Sequence, residues 1–150
     1  MSPEPVLELV CASGTRRWTR AEIARLPASF QVADVGSAVA GKAGRAVWLA
    51  ALAGELPATG YLNVRSSERG FAVALPVGEL ARGALVVYEL GGEALPASKG
   101  GPFRLLVPGH ADECVHVKAL ARLEFAAARG PDTRPADDEA HRALHAKKKG

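Results

Sequence analysis

The stretch from Lys99 to Leu120 reads Lys-Gly-Gly-Pro-Phe-Arg-Leu-Leu-Val-Pro-Gly-His-Ala-Asp-Glu-Cys-Val-His-Val-Lys-Ala-Leu and is dense in side chains that can do chemistry. Three basic residues, Lys99, Arg104 and Lys118, bracket a short apolar run over 103–107. Brought to one pocket they would suit an anion such as a phosphate, because Arg offers a planar fork of donors and Lys a compact point charge. The same three charges also read as solvated surface. His110, Asp112, Cys114 and His116 alternate, so an extended backbone puts them on one face. That set is competent for zinc or another borderline transition metal. His141 and His145 are one helical turn apart and, with Cys114, make a second candidate ligand set. Against both stands the lack of a Cys-x-x-Cys pair; Cys114 then fills space and the tail histidines are solvated. No Ser-His-Asp order and no pair of carboxylates stands out, so no catalytic residue is assigned.

These residues need a scaffold that ends a strand at the right place. Gly101-Pro102 turns into the 103–107 run, which predicts a strand, and Pro108-Gly109 stops it. A buried strand ending in a polar loop is a common way to present a site. Upstream, Val6, Leu7, Leu9 and Val10 predict a strand over 6–11, and Ser13-Gly14-Thr15 a turn. Thr19 and Glu22 fit a capping box opening a short helix that Pro27 ends. Alternation predicts a strand over 30–35, and the Gly/Ala-rich 36–44 reads as a loop. Its Gly41-Lys42-Ala43-Gly44 lacks the spacing of a phosphate-binding P-loop. Val47, Leu52 and Leu56 predict a helix over 47–56. Strands are expected over 61–65 and 71–75, joined as a hairpin, then over 84–90 and 120–125. Pro76 suits the start of a helical turn over 77–81. Short helices between strands, without long crossover helices, predict an α+β fold with mixed or antiparallel sheets.

The chain has 150 residues, 48% hydrophobic and 23% charged, which suits one domain with a sizeable core. The expected division is a single domain over 1–128 and a polar tail over 129–150, a short helix or disordered. The net charge of +3 is mild and Lys147–Lys149 contribute to it without interleaved aromatics, so no nucleic-acid partner is expected. Apolar runs are too short to span a bilayer, and the N-terminus lacks the pattern of a signal peptide, so no membrane association is expected. Cys11 and Cys114 read as thiols in a reducing compartment, and a cytoplasmic location is expected.

Several pieces in register resemble the molybdopterin-binding domain of sulfite-oxidase-type oxidoreductases over about 19–125. They are Gly44-Arg45-Ala46-Val47-Trp48-Leu49-Ala50-Ala51-Leu52, Ser66 to Leu75 followed by Pro76, Leu85-Val86-Val87-Tyr88-Glu89, and Gly92-Glu93-Ala94-Leu95-Pro96. The most specific is Gly101-Pro102-Phe103-Arg104-Leu105-Leu106-Val107-Pro108-Gly109, followed by Val117-Lys118. The resemblance implies a sulfite-oxidase-type fold, a molybdopterin cofactor carrying molybdenum, and a redox reaction on an unidentified small molecule or redox partner. It assigns the pterin and its phosphate to Arg104 and Lys118, with backbone near His116 approaching the phosphate. Lys99 stands where the family often has His or Asn. The family holds molybdenum by a cysteine thiolate just after a strand in the first third of the domain. Here Phe30-Gln31-Val32-Ala33-Asp34-Val35-Gly36-Ser37 has no cysteine, and Asp34 or Val35 lies at about that place. Two functions follow: a molybdopterin-dependent oxidoreductase domain, or a non-catalytic binding module of the same fold holding another metal through Cys114 and nearby histidines. Cys114, flanked by His116 and Lys118, is also a candidate replacement ligand.

Overall fold

The computed structural model describes residues 5–54, 56–68, 71–80, 83–110 and 115–133. In chain order the elements are β1 (Val6–Cys11), β2 (Gly14–Thr19), α1 (Arg20–Ala24), β3 (Gln31–Val32), β4 (Arg45–Trp48) and α2 (Leu49–Ala53). There follow β5 (Tyr61–Ser66), β6 (Ala72–Pro76), β7 (Leu85–Leu90), β8 (Glu93–Ala94), β9 (Arg104–Leu106) and β10 (Leu120–Ala126). The first sheet runs β2-β1-β10-β5-β6. Its β1–β10 pair is parallel, and every other pair in both sheets is antiparallel. The second runs β3-β4-β7-β8, with β9 also on β7. The fold is therefore the expected α+β arrangement of mixed and antiparallel sheets with short helices.

The main core fills the space between the sheets, with Leu7, Leu62, Leu75, Leu105 and Leu123 fully buried. The continuous apolar run of β7 has a reason. Val86 and Tyr88 face this core, while Leu85 and Val87 face a smaller cluster with Val35, Ala46, Leu95 and Leu106. A strand buried on both faces reads as an unbroken apolar segment. The same alternation splits β9: Leu105 enters the main core, and Leu106 joins the smaller cluster. Arg104, two residues before Leu106, shares its face of the sheet. The smaller cluster therefore lies on the face of the second sheet from which Arg104 projects.

The capping box forms as read: Glu22 N–H donates to Thr19 Oγ1, and Thr19 N–H to Glu22 Oε1. Three expectations change. Residues 45–48 are a strand, because pairing with β3 and β7 places Ala46 in one cluster and Val47 in the other. The helix starts only at Leu49, and the helical spacing of Val47 with Leu52 was overridden by sheet pairing. The strand expected over 30–35 keeps two residues. Asp34 accepts from the Gly36 N–H at 2.9 Å and opens a 3-10 turn, a local bond that competes with the ladder. β2 escaped the hydropathy pattern because it is an edge strand whose Thr15, Arg16 and Arg17 are exposed, with only Trp18 buried. Beyond β10, residues 132–133 line the outer edge of β6. Thr133 N–H donates to Ala72 O at 2.8 Å, and Asp132 accepts from the Ala74 N–H.

Candidate functional site

Lys99 closes a 3-10 turn, Ala97–Lys99, that Gly100 follows with φ +90°. A side chain at residue 100 would be strained there, and its Cβ would lie 2.9 Å from Arg104 Cδ and 3.0 Å from Lys118 Cγ. Gly100 thus lets the stems of Arg104 and Lys118 pass against one backbone. A Cβ at Gly101 would collide with the carbonyl of Leu95, so the chain doubles tightly back under this turn. The Lys118 end is tied from two sides. Ala119 N–H donates to Gly100 O at 2.7 Å, and the Ser66 hydroxyl donates to Lys118 O at 2.7 Å. Two strand ends and one turn are in this way fixed to each other through their backbones.

The result is a cavity of about 170 Å³ beside the smaller apolar cluster. Val87 and Leu106, both buried, contribute its apolar wall, and the Gly41–Ala43 loop and the Ser98–Lys99 turn form its sides. Lys42, Lys99, Arg104 and Lys118 all line it, and among the described residues no aspartate or glutamate does. Arg104 is half-buried, and its Nε is shielded from solvent with no hydrogen-bond partner. Burial pushes the guanidinium pKa down from its ordinary value, which expresses the cost of keeping that charge out of water. A donor left unsatisfied beside a cationic cavity is an arrangement that an oxyanion completes.

Sequence reasoning placed Lys99, Arg104 and Lys118 together, and they do line one cavity. His116 lies elsewhere: its Nδ1 accepts the Val107 N–H at 3.0 Å, so the imidazole braces the end of β9 and is not among the cavity's lining residues. His110 follows directly, with its N–H donating to Val107 O at 3.2 Å. Cys114, His141 and His145 lie outside the described residues. Among the described residues no group of three or more His, Cys, Asp or Glu could hold a metal ion. Lys42 and the bracing hydroxyl of Ser66 were missed. A lysine flanked by small residues was the available cue for the first; nothing local signals the second.

A family model for the oxidoreductase molybdopterin binding domain matches residues 5–133. The chain belongs to this family. Among solved structures, the sulfane dehydrogenase SoxCD from Paracoccus pantotrophus is similar, with a TM-score of 0.58 and 19% sequence identity. The match covers 83% of this chain and 39% of that one, so the chain spans well under half the length of that protein, and at such identity the likeness is one of fold. No curated protein matches. Family membership implies an anionic molybdopterin cofactor, and the residues present fit its two ends differently. The cavity with its orphaned Arg104 Nε and four cations fits a phosphate. The segment where the family resemblance places the thiolate does not fit a soft metal. Val35 is fully buried in the small apolar cluster, and the Asp34 carboxylate is engaged with the Gly36 N–H. Among the described residues no helix is long and apolar enough to cross a membrane.

Proposed function

We propose that this domain holds a molybdopterin-type cofactor by its phosphate, with Arg104 and Lys118 as the main anchors and Lys99 beside them. The observation that carries the reading is the unpartnered Nε of Arg104 in a cavity that Lys99 and Lys118 also line and, among the described residues, no acid does. The cavity's 170 Å³ is below the roughly 300–1,000 Å³ of a site enclosing a whole drug-sized ligand, so it suits one end of a larger molecule. The cofactor, when bound, supplies redox chemistry at its metal; the chain binds, orients and electrostatically supports it. Arg104 contributes a fixed fork, Lys118 a point charge on a braced backbone, and the apolar wall of Val87 and Leu106 keeps water from one side. No protein thiolate comes from the 30–37 segment, where apolar Val35 and the Asp34 turn stand. That feature favours a second reading, a cofactor-binding module that does not itself turn over substrate.

Production in a host that makes the cofactor tests the first claim. Released pterin should be close to one per chain in the wild type. In Arg104→Ala it should fall by about tenfold or more, as expected for losing a charged hydrogen bond. Wild-type protein free of pterin would remove the cofactor reading. Molybdenum measured on the same sample separates the two functions, since a pterin-loaded chain lacking the metal supports the non-catalytic module.

A further inference from the structure

The first sheet has two outer edges, and the chain treats them differently. Among the described residues no strand pairs with the outer edge of β2, which carries Arg16 and Arg17, exposed charges that blunt pairing with another strand. The β6 edge has no such protection. Over 71–77 the chain reads Phe-Ala-Val-Ala-Leu-Pro-Val, without a charge, and Ala72, Val73, Ala74 and Leu75 are all buried. Left bare, an apolar edge of this kind is a template for a further strand. Residues 128–133 cover it as a strap, held more by side chains than by a backbone ladder. Thr133 N–H donates to Ala72 O at 2.8 Å, but Ala72 N–H donates to Thr133 Oγ1 at 3.2 Å and Ala74 N–H to the Asp132 carboxylate at 3.1 Å. Further back, Asn63 of β5 accepts from the Gly130 N–H at 2.8 Å and donates to Ala128 O at 3.3 Å. A Cβ at residue 130 would lie 2.8 Å from Asn63 Cγ, so the strap fits only with glycine there.

We propose that residues 128–133 are a displaceable guard on β6, and that its release opens a self-association surface whose partner is β6 of a second copy of this chain. Backbone geometry selects that partner. Ala72 and Ala74 turn their N–H groups outward, as their bonds to the strap show. A twofold axis through Val73 sets Ala72 of one copy opposite Ala74 of the other, antiparallel, so the same edge completes itself. The meeting edges bear no charge to repel each other, and Pro76, which has no N–H, confines the pairing to this short stretch. The strap is part of the same chain and so acts at a high effective concentration, which keeps the edge closed until the strap is weakened.

Two variants of the full chain loosen the strap without touching the core. Thr133→Val keeps the side-chain shape and removes the hydroxyl that Ala72 uses. Gly130→Val drives a branched side chain against the Asn63 amide. In dilute solution, amide exchange at Ala72 and Ala74 should be about fivefold or more faster in both variants than in the wild type. In sedimentation at equal concentration the variants should weigh more than the wild type and rise toward twice the chain mass. Protection of Ala72 and Ala74 should return as that dimer forms. Variant amides as protected as those of the wild type, or opened without any gain in mass, would overturn the proposal. So would a dimer in which Ala72 and Ala74 still exchange fast, because another surface would then join the copies.

Discussion

At the scale of single residues the site is governed by Arg104. A half-buried guanidinium with an unpartnered Nε costs stability in the ligand-free fold, since a charge and a donor are withdrawn from water without full compensation. Replacing it by an apolar side chain of similar length should therefore separate folding from binding. In Arg104→Met, anion affinity should fall by about tenfold or more while the thermal midpoint stays level or rises. A fall in both would show the guanidinium to be a structural element. Gly100 supplies the complementary case. Gly100→Ala forces a left-handed backbone on a residue with a Cβ, costing about 1–2 kcal/mol, and pushes on Arg104 Cδ and Lys118 Cγ together. Denaturant unfolding should show that loss, and phosphate affinity should drop as well. Residue types and the family resemblance singled out Arg104, Lys118 and Lys99, but that they line one cavity was visible only once the Ala119 N–H to Gly100 O bond joined the two segments. Lys42 was not legible, since its partners are contiguous only once the 36–44 loop folds over the second sheet. The direction of the His116 imidazole, toward the Val107 N–H, was not legible for a related reason, since spacing does not record which way a side chain points.

Elements come next. The hydrophobic patterns of β1, β5, β7 and β10 revealed those strands because each buries at least one regular face. β2 and β4 were hidden, one by exposure at a sheet edge and the other by a coincidental helical spacing. The second sheet is held to α1 through Tyr88 of β7. Its hydroxyl donates to Gln31 Oε1, and Gln31 Nε2 donates to Ile23 O at 2.9 Å. Arg20 on α1 also approaches Glu89 at 3.4 Å. Tyr88→Phe leaves the Gln31 oxygen without this donor and should cost about 1–3 kcal/mol in denaturant unfolding. Burial raises the Tyr88 pKa above its ordinary value of 10.0. The folded state then holds the phenolic proton more tightly than the unfolded chain. Below pH 10.0 both states keep the proton and stability is unaffected by it; as pH rises beyond, stability is lost. Urea midpoints followed upward through pH 10.0 should fall in the wild type and fall less steeply in Tyr88→Phe. Equal slopes would place the alkaline sensitivity elsewhere.

At the scale of the molecule, two sheets share one core and leave a second, smaller cluster on the far face of β7, β9 and β4. The cavity sits beside that second cluster. Its apolar contacts fix Val87 and Leu106, and the Ala119 N–H bond to Gly100 O and the Ser66 hydroxyl bond to Lys118 O fix the cations around them. The family's fold could be read from the order of short segments because each segment performs a packing task that tolerates few alternatives. The departure from the family was equally visible, since a missing cysteine in the 30–37 segment is a fact of the sequence. Its physical counterpart emerged only from the fold, where Val35 is sealed among hydrocarbon side chains.

The central claim is that Arg104 and Lys118 grip the phosphate of the bound cofactor. A crystal structure of the chain purified from a cofactor-producing host tests it most directly. The account predicts phosphate density in the cavity, with Arg104 Nε donating to a phosphate oxygen at about 2.7–2.9 Å and Lys118 Nζ beside it. A ligand bound elsewhere, with Arg104 Nε still lacking a partner, would contradict it.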